Sequence, residues 1–235
     1  MSNFITEIKI GKVRHLENID IKLGNEKKHL ILTGKNGCGK TSVLEELDKF
    51  FIDIYTPRRL RQGLGNISNI YLQFNQDTLN IEDENFIYSF FPAKRGFFPS
   101  KSKGIQKVHL SKEKTQRLNS DFLQYIVNLK AERSFARDDN EVKIVEEIDE
   151  WFKKFENILR EIYSDDSLLL KFDRRNIMSY NFIIEKENRE VFDFHGLSDG
   201  YSSVIDIITE LLLKIETTKS RSLDIEGIVL IDEIE

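Results

Sequence analysis

The run Gly34-Lys35-Asn36-Gly37-Cys38-Gly39-Lys40-Thr41 constrains this chain more than any other stretch. It fits the pattern G-x-x-x-x-G-K-[ST] without a mismatch. It lies between an apolar run, His29-Leu30-Ile31-Leu32-Thr33, read as a buried strand, and a helical stretch over 40–54 that includes Ser42-Val43-Leu44-Glu45-Glu46-Leu47. The residue types meet one physical need, which is to bring many hydrogen-bond donors close to a dense anion. Glycines at 34, 37 and 39 let the backbone turn tightly and present its N–H groups. A helix starting near Lys40 adds the partial positive charge of its N-terminus. The anion that matches is a nucleoside triphosphate. Lys40 is then expected to reach the β- and γ-phosphates and the Thr41 hydroxyl to ligate Mg²⁺. Gly34, Asn36, Gly37, Gly39 and Ser42 complete the expected nucleotide contacts. Cys38 reads as a small residue that fits a variable position of this loop rather than as a redox group.

The 235 residues suffice for one large domain or two small ones, and 40% apolar residues suffice for a core. A single cysteine excludes an intramolecular disulfide framework. The net charge of −5 argues against a surface that coats nucleic acid as a whole, but charge is uneven along the chain. From Lys94 to Arg117 there are eight Lys or Arg and one acidic residue. A second basic cluster is Arg58, Arg59 and Arg61, with no acid between Asp53 and Asp77. Both clusters are candidates for contact with phosphates of DNA or of the nucleotide, beside the commoner role of such runs as solvated surface. The first 30 residues carry no signal-peptide pattern and no apolar run reaches 18 residues, so a soluble cytoplasmic protein is expected.

Residues 4–10 and 17–23 alternate apolar and polar and read as half-exposed strands. Ile67–Phe74 and Asn85–Phe91 read as further strands. Apolar residues then fall at helical spacing, at Leu118, Phe122, Tyr125 and Leu129, and again at Val145, Ile148, Phe152, Phe155, Leu159 and Ile162. This predicts two amphipathic helices packed as a short antiparallel hairpin, separated by the polar run Ser134 to Glu141, with Asp138 or Asp139 as N-cap. Leu168–Phe172, Tyr180–Glu185 and Glu190–Phe194 read as strands, followed by Leu197-Ser198-Asp199-Gly200-Tyr201 and an apolar helix from Val204 to Ile215. The expected organisation is an N-terminal lobe (1–112), the hairpin (113–165) and a C-terminal lobe (166–235).

The last motif is Gly227-Ile228-Val229-Leu230-Ile231-Asp232-Glu233-Ile234-Glu235. Four apolar residues followed by Asp-Glu form the Walker B pattern, in which a buried strand delivers carboxylates at its C-terminal end. Asp232 is expected to support Mg²⁺, directly or through water, and Glu233 to act catalytically by polarising the attacking water.

In this order the three motifs resemble the ATPase heads of the ABC, SMC and recombination-repair superfamily, with Leu197-Ser198-Asp199-Gly200 similar to its signature motif. Phe91-Pro92-Ala93-Lys94-Arg95, Leu-Ser-Asp-Gly-Tyr and the Walker B segment resemble the bacterial AAA-21/AAA-15 ATPases, a group similar to OLD-nuclease ATPase domains and to the ATPase subunits of Septu and retron-associated antiphage systems. The likeness covers roughly residues 1–95 and 178–235. It implies an α/β fold, a P-loop NTPase with an ABC/SMC-like head (a mixed sheet plus an N-terminal antiparallel β part) and a helical hairpin insertion where relatives carry a coiled coil. It further implies two heads closing around ATP, with Ser198 and Gly200 of one facing the γ-phosphate on the other, and a nuclease or DNA-acting partner in antiphage defence. An ordinary helix N-cap is the competing role of Ser198. Gln73 or Gln76 stands where the family's Q-loop glutamine is expected, and Arg14 has a place near the nucleotide by the same likeness. The family continues past Walker B with a D-loop and a switch histidine, which after Glu235 are expected from a longer chain or another subunit. The alternatives are an ATP-dependent assembly module with little catalysis, and an ABC transporter ATPase.

Overall fold

The computed structural model describes residues 4–55, 69–75, 84–176, 179–187, 191–219 and 223–233. The chain divides into two compact units, one made of Met1–Lys94, Lys112–Gln116 and Lys214–Glu235, the other of Arg95–Ser111 and Arg117–Leu213.

The first unit begins with a hairpin, β1 (Ile5–Val13) and β2 (Leu16–Lys22), whose other edge is taken by β3 (Ile70–Phe74), giving the antiparallel order β2-β1-β3. The alternation seen in the sequence sets the register: Ile8 faces Ile21 and Leu72, and Ile10 faces Ile19 and Ile70. One face is thereby apolar and the other charged, the arrangement a half-buried sheet requires. Helix α1 (Lys40–Tyr55) lays Val43, Leu47 and Phe51 into this core. β4 (Phe86–Phe91) and β8 (Glu226–Ile231) form a separate two-stranded parallel sheet, in register from Phe86–Glu226 to Phe91–Ile231. Tyr88 of β4 packs its ring 4.9 Å from Phe51 and donates its hydroxyl to Asp48 of α1 at 2.5 Å. Burial raises the Asp48 carboxyl above the ordinary range against the opposing pull of that bond, and burial together with Asp48 also raises the Tyr88 hydroxyl.

His29–Thr33, expected as a buried strand, joins no ladder among the described residues, and Ile31 is 79% exposed. An apolar run becomes a buried strand only where a neighbouring strand offers its edge, and among the described residues β4 and β8 pair with each other alone.

The second unit holds α2 (Phe122–Asp138) and α3 (Val142–Tyr163), which follow a single 3₁₀ turn at Asn119–Asp121. It also holds the antiparallel sheet of β5 (Leu169–Asp173), β6 (Asn181–Glu185) and β7 (Phe192–Asp193), and most of α4 (Asp199–Glu216). Phe122, Phe155, Leu159, Phe182, Phe194 and Ile205 form its core. The hairpin helices are thus part of this unit's interior. Helix α2 runs through Ser134, whose hydroxyl returns to the Lys130 carbonyl, and stops only where Asn140 turns left-handed at φ 62°. A polar stretch on a solvated helix face does not end a helix, whereas a left-handed residue does. The residue before α3 is accordingly Glu141, with no side-chain cap, rather than Asp138 or Asp139.

The buried acids of α4 each hold partners within the unit. Asp206 takes Arg117 at 2.7 Å, and Glu210 accepts the N–H groups of Leu118 at 2.7 Å and Asn119 at 2.9 Å. No helix among the described residues is long and apolar enough to cross a membrane.

Because the Asp48 carboxyl is raised, its contribution is complete below the ordinary carboxylate range and is lost as pH rises through the folded value. Asp48→Asn keeps an acceptor for Tyr88 and is expected to raise stability at pH 7 while flattening the dependence between pH 4 and 7, measured by urea unfolding. In the second unit, Phe122→Ala is expected to cost about 3–5 kcal/mol in the same assay.

Candidate functional site

The site is assembled on the first unit where three elements converge. The loop before α1 contains one turn, in which the Cys38 N–H donates to the Lys35 carbonyl at 3.2 Å. Its glycines take φ values of 154°, 81° and 102° at Gly34, Gly37 and Gly39. Gly39 is the most constrained: a β-carbon there would lie 2.7 Å from Leu16, on a backbone that L-residues rarely adopt. Leu16 opens β2, so the tip of the first hairpin lies against the loop. Arg14, in that tip and itself at φ 52°, pairs with Glu45 of α1 at 3.0 Å. The pair is exposed and contributes little to stability, but it holds the guanidinium beside α1.

Helix α1 starts at Lys40, and the Val43 N–H closes its first turn on the Gly39 carbonyl at 3.0 Å. The Lys40 ammonium folds back over its own loop, donating to the carbonyls of Gly34 at 2.8 Å and Lys35 at 3.2 Å. Asn36 is exposed and Ser42 is buried in the helix.

The Thr41 hydroxyl donates to Asp232 Oδ1 at 3.2 Å, joining residues 191 positions apart. Asp232 stands one residue past β8 and is 3% exposed. Its N–H donates to the Phe91 carbonyl at 2.8 Å, continuing the pairing of β8 with β4. The parallel sheet therefore delivers the carboxylate to the start of α1. Glu233 follows, exposed and at φ 50°. Among the described residues no group of three or more His, Cys, Asp or Glu could cage a metal. The paired oxygens of Thr41 and Asp232 suit a hard cation such as Mg²⁺ when phosphates and water supply its remaining ligands.

The other expected residues are dispersed. Ser198 and Gly200 lie in the second unit, exposed at the start of α4. The Ser198 carbonyl accepts the Ser202 N–H at 2.8 Å, and its hydroxyl makes no capping bond among the described residues. Gln73 is exposed on β3, opposite Glu7 of β1. Gln76, Arg58, Arg59 and Arg61 lie outside the described residues. Arg14, expected near the nucleotide, stands in the hairpin tip beside α1, whereas its pairing with Glu45 and the contact of Leu16 carry no signal in the sequence, since no pattern in a hairpin announces which helix its tip will meet.

No family model matches this chain, and no curated protein matches it.

Gly39→Ala is expected to lower stability by about 1–3 kcal/mol, because it imposes both a left-handed backbone and a clash. Adding Leu16→Ala removes the clash alone, so the double variant should recover less than the full loss in urea unfolding.

Proposed function

We propose that this chain is an ATP-binding and ATP-hydrolysing P-loop head of the ABC/SMC-like kind, acting with Mg²⁺. The observation that carries the proposal is the contact of Thr41 with the buried Asp232, which brings the end of the glycine loop and the Asp-Glu motif together. The loop offers backbone donors and the N-terminus of a 16-residue helix to an anion. Lys40, released from the loop carbonyls it now holds, is the cation for the terminal phosphates. Bound Mg²⁺ supplies neutralisation of phosphate charge, with Thr41 and Asp232 as its protein ligands. Glu233, next to Asp232 and exposed, is the group we assign to orient and polarise water.

Composite action follows from the resemblance. Ser198 and Gly200 are exposed at the head of α4, where the signature-like motif of one copy is open to a second copy's nucleotide. We extend the proposal accordingly to dimerisation around ATP and to control of a nuclease or DNA-acting partner in bacterial antiphage defence.

Mg-ATP at a hundred times its dissociation constant should stabilise the protein by about 2.7 kcal/mol, read as a rise in melting temperature. Lys40→Ala should abolish the shift. Asp232→Asn keeps an acceptor for the Thr41 hydroxyl, so it should leave the ligand-free melting temperature about unchanged while losing the magnesium-dependent part. Absence of any shift with the unaltered chain would overturn the proposal. Glu233→Gln is expected to keep the shift and to lose multiple-turnover phosphate release; unchanged turnover would remove Glu233 from the mechanism.

A further inference from the structure

Segment 98–107 of the second unit has no helix or strand, yet its backbone is held at Ser100, Lys103, Gly104 and Gln106. The Ser100 N–H donates to the Ser120 carbonyl at 2.9 Å, and Ser102 turns inward to the Tyr180 carbonyl. Two amides of α2, one turn apart, then act as a substitute strand. Gln124 accepts the Lys103 N–H at 2.9 Å and donates to the Gly104 carbonyl at 2.7 Å. Asn128 donates to the Gln106 carbonyl at 2.6 Å and takes the Gln106 N–H at 3.4 Å. Such pinning fixes which side chains point outward. Those of Lys101, Lys103 and Lys107 are exposed, and Phe98 is 82% exposed beside them.

The three lysines have no ion-pair partner among the described residues. On the same acidic protein Lys9, Lys49, Lys154 and Lys171 each hold a carboxylate within 3.0 Å. Two residues span at most about 7 Å and four at most about 14 Å, so the Cα atoms of the three lysines lie within about 21 Å of one another.

We propose that this strip, Phe98 to Lys107, binds single-stranded nucleic acid, with the lysines on successive phosphates and Phe98 stacked on a base. An exposed aromatic ring next to fixed cations suits an unpaired strand, whose base faces are open. A duplex hides those faces, and the segment carries no helix or β-ribbon to enter a groove. The net charge of −5 confines attraction to the strip. The inference names the nucleic acid for the DNA-acting role proposed above, but it requires no nucleotide at the loop.

The test is fluorescence anisotropy of a labelled 20-nucleotide oligo-dT with the full chain, without nucleotide, across a salt series. The logarithm of affinity should fall with the logarithm of salt at a slope of about −2 for three phosphate contacts. Lys101→Gln, Lys103→Gln and Lys107→Gln together should remove most of that slope. Phe98→Ala should weaken binding about tenfold and keep the slope. If the triple variant melts early, Lys103→Gln alone should reduce the slope by about 0.7. Absence of binding at 50 mM salt, an unchanged slope in the lysine variants, tighter binding to the matching duplex, or equal binding to heparin with no effect of Phe98→Ala would each overturn the proposal. Because ATP is omitted, failure here is separable from failure of the melting shift with Mg-ATP.

Discussion

The architecture of the first unit depends on a carboxylate held almost wholly out of water. Asp232 is 3% exposed, and burying an acid is costly unless donors surround it. The Thr41 hydroxyl at the start of α1 donates to its carboxylate, and its backbone N–H donates to the Phe91 carbonyl at the end of β4. The contact therefore ties the parallel sheet to the glycine loop. Were β8 displaced by one residue along β4, every side chain on it would change face and Asp232 would leave the hydroxyl.

Much of this was legible in the residues. The alternation Ile8, Ile10, Ile19, Ile21 gave a period of two, and the structure uses it as the cross-strand row of β1 and β2. The helical spacing of Ile148, Phe152, Phe155 and Leu159 likewise became the packed side of α3. The loop pattern placed the start of α1 at Lys40, where the helix begins. Local sequence fixes such features because they follow from a repeat or from a backbone conformation that few residues tolerate. What failed depended on neighbours. His29–Thr33 has a strand's composition but no partner edge among the described residues, and the polar stretch after Ser134 resembled a loop because a solvated helix face is equally polar. The wedge of Leu16 against Gly39 and the pinning amides of Gln124 and Asn128 depend on tertiary proximity, which no single stretch encodes.

The division into units follows space rather than sequence. Three separate stretches build the first unit, and between Phe86 and its partner Glu226 the chain runs through the whole of the second. Loop-closure entropy grows only slowly with length, so such a pairing is thermodynamically tolerable. It is kinetically late, since long-range parallel pairing follows the formation of local contacts. Helices α2 and α3, joined by a short turn at Asn140, are the most local part of the chain and the natural place for structure to form first.

The folded-back Lys40 has a consequence for recognition. Its ammonium already holds two carbonyls of its own loop, so the loop carries an internal competitor for any anion that enters. Binding becomes an exchange in which the incoming oxygens must replace both carbonyls and leave them to water. If the loop takes the triphosphate proposed above, the lysine acts as a threshold that favours ligands dense enough in charge to displace the loop from its own side chain.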